Sequence, residues 1–124
     1  MRVTITIISL LLSLSASGQT IEQVKAELHR QGVPHANIVL AQARLETGNF
    51  TSRRCKVDHN LFGMKKGRHY AKYNHWRESV KDYKERISSR YKRGGNYYSF
   101  LRSIGYAEER EYIQKLQKII RTSK

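Results

Sequence analysis

Apolar positions after residue 19 recur mostly at helical spacing. Ile21, Val24 and Leu28 lie three and four residues apart, on one face of an α-helix. Thr20 stands where an N-cap belongs, with Gln23 in the capping-box position, and Gly32 with Pro34 ends the run. A second helix is predicted from about Ala36 to Thr47, with Ile38, Ala41 and Leu45 inward and Gly48 as its stop. Asn49 to His75 has no helical period and reads as loop, with a short hairpin around Gly67. Trp76, Val80, Tyr83, Ile87 and Tyr91 fall at i, i+4, i+7, i+11 and i+15, a single stripe that predicts a third helix packed on the core. Arg93-Gly94-Gly95 breaks the chain, and Tyr97 to Ile104 forms a short helix. The last helix is expected from about Glu108 to Arg121, with Tyr112, Leu116 and Ile119 inward. Its acidic start (Glu108, Glu109, Glu111) suits the positive end of the helix dipole. The pattern is that of a mainly α domain with one irregular segment in the middle.

The first eighteen residues are built differently. Arg2 precedes a mostly apolar run from Val3 to Leu14, and Ala16 and Gly18 are small residues at −3 and −1 of a cleavage site before Gln19. The run is shorter than the roughly 20 apolar residues that span a bilayer. The expected organisation is therefore a signal peptide at 1–18 and one domain at 19–124, in a protein that is secreted or periplasmic. Cys55, the only cysteine, cannot close an internal disulfide and reads as a small buried hydrophobe.

Charge changes the picture of the partner. The chain carries 24 Lys and Arg against 10 Asp and Glu, a formal net charge of +14. Such a field favours a polyanion, and eight tyrosines offer stacking surfaces of the kind nucleic-acid binders use. Export argues for acidic cell-wall or surface polymers instead, and no nucleic acid is expected. No metal or other cofactor is implied, and the oligomeric state is open.

Glu46 is the candidate for chemistry. It falls in the last turn of the second helix, where the partial negative charge of the helix end disfavours a carboxylate and raises its pKa. A glycosidase needs one carboxylic acid kept protonated near neutral pH. Gln42 lies one turn earlier on the same face.

Four segments surround this reading: AQARLETGNF at Ala41 to Phe50, HNLFGMK at His59 to Lys65, WRESVKDY at Trp76 to Tyr83 and GYAEEREY at Gly105 to Tyr112. In this order they resemble the AQAxLESGxG, NNLFGxK, SxxESIxDY and YAxDPxY stretches of the glucosaminidases of glycoside hydrolase family 73, over about Ile38 to Ile120. The resemblance implies a lysozyme-like helical domain with a short or reduced β-hairpin region. It also implies hydrolysis of the β-1,4 bond between N-acetylglucosamine and N-acetylmuramic acid in peptidoglycan glycan strands. Glu46 falls on the family's general acid and Tyr106 on its active-site tyrosine. Asn60, Phe62 and Gly63 match the loop flanking the cleft, and Gln42 and Tyr112 complete the substrate-binding candidates. Packing competes with function at several of these positions: Leu61 and Tyr112 suit the core, and Asp82 suits a structural hydrogen bond.

The departures are as informative. Thr47 replaces a serine, Phe50 a glycine, His75 a serine, and Glu109-Arg110 an aspartate–proline pair. Many members carry a second acidic residue on a longer hairpin, whereas Lys66 to His75 here reads KGRHYAKYNH, without Asp or Glu. Retaining cleavage needs a second carboxylate at about 5 Å and inverting cleavage at about 6.5–9.5 Å. Asp58, Glu108 and the sugar's own 2-acetamido group are the alternatives. A weakly active or inactive cell-wall glycan-binding module is the second reading this leaves open.

Overall fold

Thr20 opens the first helix as the sequence predicts. Its hydroxyl accepts the Gln23 backbone N–H at 3.1 Å, and the Gln23 side chain takes the Thr20 N–H at 2.9 Å. The computed structural model describes residues 19–123, and the expected signal peptide lies outside them. The described elements are α1 (Ile21–Arg30), α2 (Ala36–Thr47), α3 (Arg53–Asp58), β1 (Lys65–Lys66), β2 (His69–Tyr70), α4 (Trp76–Arg86), a 3₁₀ turn at Ser88–Arg90, α5 (Tyr97–Ser103) and α6 (Tyr112–Arg121). The fold is thus mainly helical with one reduced hairpin, in which Lys65 faces Tyr70 and Lys66 faces His69. No helix among the described residues is long and apolar enough to cross a membrane.

Helix α2 is the centre of the packing. It lies against α6 on one side and α1 on the other, and Val39 and Ala43 from it are fully buried with Val24, Leu28, Leu101 and Leu116. Leu45, expected inward, is only partly covered. Cys55 is buried, as a small hydrophobe would be. A charged bolt joins α1 to α4: Glu27, 4% exposed, accepts from Arg30, Gln31 and Arg77. The Arg30 hydrogen bond, against the opposing effect of burial, holds its carboxyl down at about 2.

Three expectations of element boundaries are corrected. Asn49 to His75 is not all loop, because Ser52 caps α3 by accepting the Cys55 N–H at 3.2 Å. The third helix does not reach Tyr91. It ends at Arg86, where Ile87 turns to φ −111° and a 3₁₀ turn follows. The serines there explain the break, since Ser89 bonds back to the Glu85 carbonyl and competes with the helix ladder. Tyr91 is turned off the stripe and bonds the Gly95 carbonyl and the His35 ring. The last helix starts at Tyr112, not Glu108. Gly105, at φ +79°, reverses the chain first, and the acidic residues occupy the turn ahead of the helix.

Candidate active site

Helix α2 ends in an unusual turn that sets the place of Glu46. Gly48, Asn49 and Phe50 all take positive φ, at 56°, 58° and 67°. Gly48 does so freely, and the Arg44 guanidinium steadies Asn49 through its Oδ1 at 2.8 Å. Phe50 carries a side chain in a backbone region that costs an L-residue roughly 1–2 kcal/mol. Its burial, 9% exposed, and a 2.8 Å bond from its N–H to Thr47 Oγ1 offset that cost. A glycine would be comfortable at position 50, which gives the departure from the motif a structural meaning.

The Glu46 carboxylate is partly buried and lies between two elements distant in sequence. On one side is the loop from Asn60 to Met64. Gly63, at φ +65°, comes so close that a Cβ there would meet Glu46 Oε1 at 2.9 Å. Asn60 builds this loop. Its amide donates to the carbonyls of Met64 and Ala71 at 2.9 and 3.0 Å, and its Oδ1 accepts from the N–H groups of Phe62 and Met64. All four hydrogen-bonding positions of that side chain are in use. Tyr106 Oη adds a bond to the Phe62 carbonyl at 2.5 Å.

On the other side is α6. Tyr112 Oη donates to Glu46 Oε2 at 3.4 Å, the last link of a buried chain of polar groups. Tyr83 Oη donates to Gln42 Oε1 at 2.5 Å, and Gln42 Nε2 donates to Tyr112 Oη at 3.3 Å. Tyr97 lies 2.6 Å from Tyr83 Oη. Because the Tyr83 proton is given to Gln42, Tyr97 is the donor in that pair. The donors therefore run in one direction, from Tyr97 through Tyr83, Gln42 and Tyr112 to the carboxylate. The amide of Gln42 sets that direction, since its oxygen faces Tyr83 and its nitrogen faces Tyr112.

Burial is the main force on Glu46 and pushes its pKa up; the Tyr112 hydrogen bond and the Arg54 charge pull against it. Neither Asp58 nor Glu108 is among those causes. Asp58 ends α3, and Glu108 is exposed beside Gly105. Among the described residues no group of three or more His, Cys, Asp or Glu could hold a metal ion. The arrangement can hold a proton on one carboxyl in a low-polarity setting and deliver it to a neighbouring oxygen.

The structure sorts the sequence candidates into two kinds. Glu46, Tyr106 and Gly63 keep some exposure, whereas Gln42, Asn60 and Phe62 are at most 1% exposed and Tyr112 is 6% exposed. Substrate contact is the expectation for Gln42, Asn60, Phe62 and Gly63, whereas Tyr112 also suits the core. For Gln42, Asn60 and Phe62 the geometry corrects this, because a side chain sealed from solvent has no face for a ligand. These three hold the site from behind. Asp82 has the structural role expected of it, accepting from Tyr73 at 2.5 Å and Arg86 at 3.1 Å. Sequence reasoning missed Tyr83 and Tyr97 as polar links, because Tyr83 reads as packing on an apolar stripe and Tyr97 only as the start of a short helix. The available signal was chemical: a buried tyrosine hydroxyl needs a partner, and Gln42 on a buried helix face needs one too. Arg54 was missed because α3 was read as loop.

A family model described as Glucosaminidase, mannosyl-glycoprotein endo-beta-N-acetylglucosaminidase, matches residues 21–124. Searches of curated proteins and of solved structures found no match.

Proposed function

This chain belongs to the glucosaminidases of glycoside hydrolase family 73 and is a glycoside hydrolase, and from that premise we propose that it is exported and cleaves the β-1,4 bond between N-acetylglucosamine and N-acetylmuramic acid in peptidoglycan. The observation that carries this reading is a single carboxyl, Glu46, with its pKa raised by burial and its position fixed by Gly63 and Tyr112. Glu46 protonates the glycosidic oxygen as the C–O bond breaks. With no acidic residue in the hairpin, the sugar's 2-acetamido oxygen attacks the anomeric carbon and forms a cyclic oxazolinium ion. Glu46, now ionised, takes a proton from water as that water opens the ring. Tyr106, its hydroxyl already committed to Phe62, supports the sugar from the loop side.

Peptidoglycan incubated with the protein should gain reducing ends, and borohydride reduction should label them as N-acetylglucosaminitol. Muramitol ends would overturn the bond assignment. Tight glycan binding without any new ends would favour the weakly active or inactive binding module.

The pH profile offers a separate check. The Tyr112 hydroxyl favours the ionised form of Glu46, so Tyr112→Phe should raise the Glu46 pKa further. A general acid is lost as pH rises through its pKa, so the alkaline limb of the kcat profile should move to higher pH. The variant also leaves the Gln42 amide a buried donor without a partner, at about 1–3 kcal/mol of stability. An alkaline limb that stays in place would show that Tyr112 does not hold the acid.

A further inference from the structure

The hairpin stands next to the acid and carries the opposite charge from a second catalytic group. Gly63 touches Glu46, and β1 begins two residues later. Asn60 grips both ends of the hairpin, through Met64 and Ala71. Arg86, paired with Asp82, donates to the Lys65 carbonyl at 2.8 Å and anchors it to α4. This is a fixed element, yet every residue from Lys65 to Tyr70 is exposed.

Two cations gather on one ring of this hairpin. The Arg54 guanidinium lies 3.3 Å from the centroid of Tyr70, and Lys65 Nζ lies 5.1 Å from the same centroid. Among the described residues the ion pairs join Arg30 and Arg77 to Glu27, Arg86 to Asp82 and Lys115 to Glu109, and they include neither Arg54 nor Lys65. Like charges so placed repel, and the ring face compensates only in part. Lys66, Arg68 and Lys72 add to the field, and Lys65 to His75 contains no carboxylate to balance it. An anion would relieve the repulsion and accept hydrogen bonds from both groups.

We propose that Arg54 and Lys65, gathered on Tyr70, form a carboxylate subsite beside Glu46 that takes the acidic substituent of the glycan. The proposal rests on the glycan-cleaving reading and adds to it the residues that select a carboxylate-bearing glycan over a neutral one. Two sources carry that chemistry, the lactyl ether of the muramic sugar and the peptide stem attached to it. Contact with the Tyr70 ring holds both cations in place, so the subsite is specific for position as well as sign.

Binding separates this idea from catalysis. In a Glu46→Gln background, which keeps the ligand intact, Kd is measured for three ligands. These are peptide-free wall glycan with its lactyl carboxylates, the same glycan with those carboxylates capped as amides, and stem-bearing glycan. The variant is Arg54→Gln with Lys65→Gln. Two exposed charge contacts of this kind predict about a five-fold loss of affinity for the acidic glycan. Capping should cost about as much, and capping plus the variant no more than either alone, because both remove the same interaction. A variant effect confined to the stem-bearing glycan would assign the carboxylate to the peptide. Unchanged Kd in every arm, or losses from capping and variant that multiply, would overturn the subsite. Melting of the double variant checks its fold, and Lys65→Gln alone serves if Arg54 proves necessary for it. Failure of the unmodified protein to cleave peptidoglycan would sink the catalytic reading and leave these binding results to be judged separately.

Discussion

Glu46→Gln is expected to lower kcat on peptidoglycan by about 10²–10⁴-fold, the usual contribution of a positioned general acid, with KM nearly unchanged. The amide matches the carboxyl in size, so the contacts from Gly63 and Tyr112 stay in place and only the transferable proton is lost. Stability should move the other way or not at all. Burial opposes the charged form of Glu46, and a neutral amide removes that desolvation cost. An inactive variant with an equal or higher Tm is therefore the signature of catalysis. A variant that releases reducing ends at the rate of the unmodified protein would remove Glu46 from the mechanism. A variant that loses activity only together with several degrees of Tm would mark a structural residue.

What could be read from the sequence divides along physical lines. Helices with a clean apolar period and a cap were legible: α1 begins at its capping box, and α2 has the limits its spacing and Gly48 predict. Helix α3 was hidden because six residues cannot display a period. The end of α4 was hidden because its stripe continues past Arg86, while Ser88 and Ser89 redirect the backbone through local bonds that periodicity does not register. Glu46 was singled out by motif and by helix position. The groups that orient it were partly misassigned, because sequence spacing reports which residues approach one another and not which of them are sealed from water. Gln42 and Asn60 belong to the site by contact and to the core by burial. That combination follows from long-range closure: Gln42 meets Tyr83 and Tyr112, 41 and 70 residues away.

Gly63→Ala should be the most damaging small change outside the acid itself. The added methyl would sit 2.9 Å from Glu46 Oε1, well inside contact distance. The loop cannot easily withdraw, because Asn60 holds the N–H groups on both sides of Gly63 and Tyr106 holds the Phe62 carbonyl. The carboxylate moves instead. A displacement of about 1 Å at a reacting group can cost about 10²-fold in rate, and that is the expected fall in kcat. Backbone strain comes in addition, since alanine at φ +65° costs about 1–2 kcal/mol. For a domain of this size that is a Tm loss of about 4–8 °C per kcal/mol. Gly67→Ala separates the two effects. Gly67 has nearly the same backbone, φ +63°, in the same hairpin region, but its Cβ would meet nothing within 4 Å. It should show the Tm loss while keeping kcat within about two-fold, because the acid it leaves alone still has its proton-transfer geometry. Equal losses of kcat in the two variants would mean that strain in the hairpin, and not contact with Glu46, makes glycine necessary at position 63.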